Sequence, residues 1–406
     1  MKILIVSRWF PYPANNGSKI RILNLVKQLA NVGEVSLVSF GEQDDVDNAD
    51  GQWALRRWCE RVEVVPYRPF RPNSVRAYAA LPAPQPRFLV DTYDPRLAAA
   101  IDAVRREVRP DVATLTELDM VPYADDLPGL PLVLDDLEVS VHLDACRDGS
   151  VAGQLRAQLT WLKLTAYLRR MLPRFETCTV VSERERANLR RIVPDYDRVQ
   201  VVPNSIDLES YAGTFGEPEP NTLVFAGALT YHANLDAARF FVSEVYPLVR
   251  QAVPDVRLRI TGRTDGVDLG SLPSQPGVQL TGYVPDVRPV VARSWASVVP
   301  LRVGGGTRVK ILESMALGTP VVSTSKGAEG LDVSDGADIL LADAPSRLAA
   351  RTVELLRSPL LRRRLASGGR ALVESRYDSA VTGERLQALV ERAARRGRFR
   401  PMKVAA

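Results

Sequence analysis

Histidine and cysteine are scarce in this chain of 406 residues, which has two of the first and three of the second. Cys59, Cys146 and Cys178 are odd in number, scattered and without metal-ligand spacing. That pattern excludes a disulfide framework and a cysteine-held zinc site, and makes a reducing cytoplasm the default location. His142 and His232 cannot by themselves serve a chemistry that wants several imidazoles. Long apolar runs are missing too: none approaches the roughly 18 residues of a membrane span, and the opening Met1 to Arg8 is too short for a signal peptide. No Gly-x-Gly-x-x-Gly follows the first apolar run, and Gly304-Gly-Gly-Thr-Arg-Val ends without a third glycine, which disfavours a dinucleotide dehydrogenase. The acidic run Asp44 to Asp50 fails as a calcium loop, because Ala49 stands where a ligand is needed and Arg56 where the closing glutamate belongs. No metal site is expected.

An excess of charge of one sign is also absent from the body of the chain. The formal net charge is +5, but Arg392, Arg395, Arg396, Arg398, Arg400 and Lys403 lie in a tail with no acid after Glu391, leaving the rest at −1. Nucleic-acid binders carry their basic stripe on the folded domain, so nucleic acid is not an expected partner. The tail reads two ways: a solvated, frayed terminus, or a peripheral contact with the anionic inner face of a membrane.

What is present centres on Gly304 to Gly318, GGGTRVKILESMALG, with an apolar strand pattern before it (Ala296 to Val303) and another after it (Pro320 to Thr324). Three glycines opening a helix between two strands are the pattern of an anion site. Gly304, Gly305 and Gly306 let backbone approach a ligand closely, and the free N–H groups of the first helical turn point at it. Thr307 is the expected cap. The helix from Thr307 to Leu317 buries Ile311, Leu312, Met315 and Ala316, and Gly318 with Thr319-Pro320 stops it. Arg308 and Lys310 add positive charge at the positive end of the helix dipole, costing roughly 0.3–1 kcal/mol each unless an anion offsets it. The plainer alternative pairs Lys310 with Glu313 and sends Arg308 to solvent.

Elsewhere the order is βαβ. A strand at Lys2 to Ser7, a loop Arg8 to Ser18, a helix Ile20 to Ala30 and a strand Val35 to Phe40 open the chain. A strand Arg61 to Pro66 precedes a proline-rich stretch to Pro86 with Tyr67, Phe70 and Tyr78, which suits either an irregular ligand-facing region or simple packing. Strands at Val112 to Leu115 and Leu132 to Leu134 follow, the second ending in Asp135-Asp136-Leu-Glu138 and then His142. Carboxylates at the carboxyl end of a strand lie where doubly wound sheets bind ligands, which makes Asp136, Glu138 and His142 candidate site residues. Helix capping and an exposed loop explain them as well. Gln154 to Arg174 is amphipathic, with Leu155, Leu159, Leu162, Tyr167, Leu168, Met171 and Leu172 on the expected core face; a membrane-surface helix is the alternative. The strand Cys178 to Glu183 is expected to be the last of the first domain.

Pro300 to Thr324, read together with Val201-Val-Pro-Asn-Ser-Ile-Asp207, resembles the family-4 type, group 1 glycosyltransferases, whose GT-B fold has two facing Rossmann-like domains. The resemblance implies that Glu313 binds the donor ribose hydroxyls, that backbone near Gly17 faces the donor phosphates, that Gly227 belongs to the donor site, and that Tyr283 and Val284, near Arg263, recognise the base edge. It also implies that Asp136, Glu138 and His142, where relatives often carry a short acidic or histidine motif, serve acceptor positioning or proton transfer. Lys19 and Arg21, beside Gly17, are read either as helpers there or as surface charge. Two departures stand out. Relatives place an arginine directly after the Gly227 position and a lysine about five residues later, whereas Gly227 to Asn234, GALTYHAN, has neither. The family's first glutamate, eight positions before Glu313, falls on Gly305. Diphosphate charge is then expected from Arg308 and Lys310.

The expected organisation is an α/β chain with an acceptor-side domain at 1–200, a hinge at 201–220, a nucleotide-sugar domain at 221–375, a crossing helix at 376–394 and the basic tail at 395–406. The expected function is transfer of a sugar from a nucleotide-diphosphate donor to a hydroxyl acceptor, retaining and metal-independent, with no cofactor beyond the donor. A catalytically inactive nucleotide-sugar-binding protein and a nucleotide-sugar 2-epimerase are the alternatives, the second short of the histidines and carboxylates it would need.

Overall fold

The computed structural model describes residues 1–46, 49–147, 150–272, 274–306 and 308–398. It divides into two units, Met1–Asn204 joined by the chain from Thr382 onward, and Ser205–Val381.

The first unit is built on seven strands: β1 (Lys2–Ser7), β2 (Glu34–Gly41), β3 (Cys59–Pro66), β4 (Val112–Thr116), β5 (Leu132–Asp135), β6 (Thr177–Val180) and β7 (Val199–Val201). All pair in parallel, in the order β3-β2-β1-β4-β5-β6-β7. Apolar runs such as Ile3-Leu-Ile-Val are fully buried because helices cover both faces of a parallel sheet. Ile3, Ile5, Val112 and Val133 pack against Leu25, Val26 and Leu29 of the Gly17–Ala30 helix and against Leu386, Val390, Ala393 and Ala394 of the Ser379–Arg398 helix. Leu4, Val6, Ala113, Leu115, Leu132 and Leu134 form the core of the other face. The strand order reverses between β1 and β4, so the ligand-binding crevice of such a sheet lies at their carboxyl ends.

The second unit repeats the plan with β8 (Glu219–Ala226), β9 (Arg257–Thr261), β10 (Val278–Gly282), β11 (Ser294–Val299), β12 (Val321–Ser323) and β13 (Leu340–Leu341), parallel and in the order β10-β9-β8-β11-β12-β13. Its reversal falls between β8 and β11. The turns after those two strands are the GALTYHAN and glycine-rich segments.

Four expectations are corrected. The first helix starts at Gly17, capped by Asn16, whose side chain accepts from the Lys19 N–H at 2.9 Å. The last strand of the first unit is β7, not the strand at Cys178. The final helix starts at Ser379, after a widened turn over Val373–Tyr377. On the Val151–Met171 helix, Leu164, Tyr167, Leu168 and Met171 are buried, but Leu155, Leu159 and Leu162 are exposed. A single helix face spans only part of the circumference, and the buried four occupy it.

Candidate functional site

The glycine-rich helix runs Val309–Ala316, with Arg308 at its cap position; Thr307, the expected cap, lies outside the described residues. Arg308 does not reach solvent. It is 6% exposed, and its guanidinium folds back to donate to the carbonyls of Gly305 and, at 2.7 Å, Gly304. It therefore braces the loop that leads into the helix. Gly304 has φ 93° there, and a Cβ would stand 2.9 Å from the Ala233 Cβ, so both conformation and space require glycine. Gly306 also has positive φ.

Lys310 does not pair with Glu313. Its Nζ donates to Asn234 Oδ1 at 2.7 Å and lies 4.8 Å from the Phe225 ring centre. A Cβ on Gly227 would stand 2.5 Å from that Nζ, so the missing side chain is what admits the lysine to the turn after β8. Loss of solvent pushes the Lys310 ammonium down to about 7, and the like charge of Arg308 adds to the effect against the opposing pull of Glu313. Glu313 Oε1 accepts from the Tyr211 hydroxyl at 2.8 Å. Desolvation raises the Glu313 carboxyl, while the Tyr211 bond and Lys310 pull it back. Desolvation and the charge of Glu313 raise the Tyr211 hydroxyl.

The structure thus brings Gly227, Gly304, Arg308, Lys310 and Glu313 into one constellation at the reversal of the second sheet. Gly305 supplies only a backbone carbonyl to it. Arg263 and Tyr283 form a neighbouring pair, guanidinium over ring at 5.6 Å, with Val284 beside Tyr283. The Leu229 N–H donates to the Arg263 carbonyl at 2.8 Å, tying the turns after β8 and β9 together. Gly17 lies in the first unit, as the first residue of its helix. Sequence reasoning missed Asn234 and Tyr211. Each is an ordinary polar residue in its local segment and acquires a partner only through the fold.

In the first unit, Asp135 and Asp136 close β5. Arg21 takes Asp135 in a fork, Nε to Oδ2 at 2.9 Å and Nη2 to Oδ1 at 2.8 Å, and donates through Nη1 to Asn204 Oδ1 at 2.8 Å and the Val202 carbonyl at 3.0 Å. The Thr179 hydroxyl completes Asp135 at 2.6 Å. Lys19 and Arg21 are both buried, so neither is surface charge. Asp136 has φ 60°, and its carboxylate lies 3.7 Å from Arg21 Nε. Burial raises its carboxyl against the pull of Arg21. Glu117, directly after β4 and also at positive φ, is pushed up to about 8 by burial and by the charge of Asp136, against a hydrogen bond from Ser18. Adjacent strand ends in strained backbone mark positions worth functional tests. The Thr116-Glu117-Leu-Asp119 run could have pointed there, since it follows β4 as the Asp pair follows β5. His142 stacks on Phe88 at 5.3 Å, and burial lowers its imidazole against the pull of Asp119. Asp119 pairs with Arg8 at 3.1 Å, and Arg8 covers the Tyr67 ring. Glu138 lies in the partly exposed segment between β5 and the Ser140–Ala145 helix. Among the described residues no group of three or more His, Cys, Asp or Glu is placed to hold a metal ion.

Two parallel six- and seven-stranded sheets with these turn sites define a two-domain α/β protein of the GT-B type. The chain belongs to the group 1 glycosyltransferases: the model described as "Glycosyl transferases group 1" matches residues 220–358, and that of the "Glycosyl transferase 4-like domain" matches residues 16–205. Among curated proteins it is 28% identical over 174 residues to a D-inositol 3-phosphate glycosyltransferase of Paenarthrobacter aurescens (37% of this chain, 40% of the relative). It is 23% identical over 174 residues to an uncharacterized 44.6 kDa protein in the cps region of Klebsiella pneumoniae (39% of this chain, 42% of the relative). The chain therefore matches less than half the length of these relatives. Similar solved structures include sucrose-phosphate synthase from Thermosynechococcus elongatus, with TM-score 0.68, 15% identity and 97% and 99% of the two chains covered. HepE of Anabaena in complex with UDP gives TM-score 0.65, 14% identity and 97% and 100% coverage. At such identities the likeness shows the fold.

Proposed function

We propose that this protein transfers a sugar from a nucleoside-diphosphate donor to a hydroxyl acceptor, with retention and without a bound metal, in the synthesis of a polysaccharide, glycolipid or glycosylated metabolite. The observation that carries the reading is Lys310, a desolvated cation held by a neutral amide against Gly227, where relatives carry their own basic residues. In the reaction the acceptor oxygen bonds to the anomeric carbon, the bond from that carbon to the diphosphate breaks, and the acceptor proton leaves with the diphosphate. Charge develops on the diphosphate, so Lys310, Arg308 and the N–H groups opening the Val309–Ala316 helix do the electrostatic work. Glu313 holds the ribose hydroxyls, and Tyr211 orients it. Tyr283, Val284 and Arg263 border the base. Asp136, Glu138 and His142, with Glu117, position the acceptor. The protein works at the cytoplasmic face of a membrane as a peripheral partner.

Thermal stabilisation by UDP, GDP, dTDP and ADP, each beside its nucleoside, tests the donor site, and turnover of the matching sugar donor tests catalysis. One diphosphate should stabilise the protein well beyond its nucleoside. No shift from any of the four would sink the reading. A shift without turnover would favour an inactive nucleotide-sugar-binding protein, which Gly305 at the family's first glutamate position also favours.

A further inference from the structure

The Val151–Met171 helix carries a second apolar stripe, and nothing among the described residues covers it. At about 100° per residue, Val151, Leu155, Leu159 and Leu162 fall on the side opposite the buried Leu164, Tyr167, Leu168 and Met171. Val151, Leu155, Leu159 and Leu162 are 74%, 62%, 52% and 64% exposed. A lone exposed leucine needs no explanation, but an aligned run of this kind marks a surface that is covered in use.

The stripe continues beyond the helix. Lys163, next to Leu162, donates to the carbonyls of Leu81 at 2.6 Å and Ala83 at 2.8 Å, which ties the helix to the proline-rich segment. Val75, Tyr78 and Leu81 of that segment are exposed as well. Both stretches carry charge of one sign. Residues 66–90 contain Arg68, Arg71, Arg76 and Arg87 with no acid, and residues 150–174 contain Arg156, Lys163, Arg169, Arg170 and Arg174 with no acid. Among the described residues only Arg174 of these is ion-paired, with Asp125. Arg68, Arg76 and Arg169 bond backbone carbonyls rather than carboxylates. The nearest acids, Asp91 and Asp94, sit at the inner end of the segment, Asp91 taken up by the Arg71 N–H and the Ser74 hydroxyl and Asp94 by Arg96.

An apolar strip in a cationic field matches the interface of an anionic bilayer, where leucines enter the acyl boundary and long basic side chains reach the headgroups. A second copy of the chain fits poorly, because a two-fold contact would set the same cations against each other. No helix among the described residues is long and apolar enough to cross a membrane, so the helix would lie in the interface plane. We propose that the outward face of the Val151–Met171 helix, with Val75, Tyr78 and Leu81, is the docking surface for an anionic lipid bilayer. This deepens the membrane contact in the functional reading and uses none of the donor-site residues.

The test is co-sedimentation of the full chain with phosphatidylcholine vesicles, with and without phosphatidylglycerol, at low and high salt. The anionic vesicles should bind at least about tenfold more protein at low salt, with the preference shrinking as salt rises. Leu155→Gln/Leu159→Gln and, separately, Arg156→Glu/Arg170→Glu should abolish that binding while melting temperature and diphosphate stabilisation stay unchanged. Equal binding to both vesicle types would overturn the proposal. So would full binding by both double variants, which assigns any contact to the basic tail. Light scattering that shows a dimer dissolved by Leu155→Gln/Leu159→Gln, without vesicle binding, would assign the stripe to self-association. Loss of diphosphate stabilisation in wild type would count against the donor site alone.

Discussion

Arg21, buried, and Lys310, half-buried but desolvated, are basic residues near the helix starts of their units, and their surroundings differ in kind. Arg21 meets a carboxylate in bidentate geometry, two further acceptors and a second carboxylate at 3.7 Å. Burial opposes its charge, and Asp135 and Asp136 more than compensate. Lys310 meets one neutral amide and a ring face, with Arg308 as a like-charged neighbour. A saturated cation holds a fold together; on the proposed reading, the unsaturated one receives the anionic diphosphate.

The largest effect expected from this contrast is on stability. Arg21→Ala leaves Asp135 buried without its partner and should cost about 3–5 kcal/mol in denaturant unfolding. Lys310→Ala should leave unfolding nearly unchanged, because it removes a poorly solvated charge. A comparable loss from both would erase the distinction. Next in size is ligand binding. Lys310→Ala should weaken diphosphate affinity by about 1.5–3 kcal/mol, the worth of a hydrogen bond to a charged group, and leave the nucleoside untouched in calorimetry.

Proton binding sharpens the comparison further. Desolvation pushes the Lys310 ammonium down to about 7, so wild-type diphosphate affinity should fall as pH rises from 7 to 9. Lys310→Arg should flatten that dependence, since a guanidinium stays charged. In the first unit the sign concerns folding. The folded Glu117 carboxyl is raised to about 8 from an ordinary value of 4.5, so its contribution to stability is full below 4.5 and lost as pH rises through 8. Glu117→Gln should therefore match wild type at acid pH and exceed it near pH 8 in thermal melts. The smallest effect is at Tyr211. Tyr211→Phe should weaken ribonucleoside diphosphates by about 0.5–1.5 kcal/mol and their 2′-deoxy forms less, and equal losses would leave Tyr211 without a role in orienting Glu313.

The alternation of buried apolar runs with helix patterns made both parallel sheets legible, and Gly304 to Gly318 marked the helix between β11 and β12. Boundaries were less legible: Asn16 moves the first helix start to Gly17, and β7 follows where no further strand was expected. The leucines at 155, 159 and 162 have the spacing of a core stripe, and spacing alone cannot say which side of a helix faces the protein.

Local order therefore determined the elements, the two-sheet α/β plan and the glycine-rich stretch proposed as the anion site, because periodicity, glycine conformation and helix ends are short-range effects. Tertiary structure alone decided what each charge meets. Lys310 reaches Gly227 and Asn234 across more than seventy residues, Tyr211 reaches Glu313 across about a hundred, and Arg21 reaches Asp135 across more than a hundred. Burial is a property of packed elements, so only the fold could give one cation a full set of acceptors and leave the other with a single neutral amide.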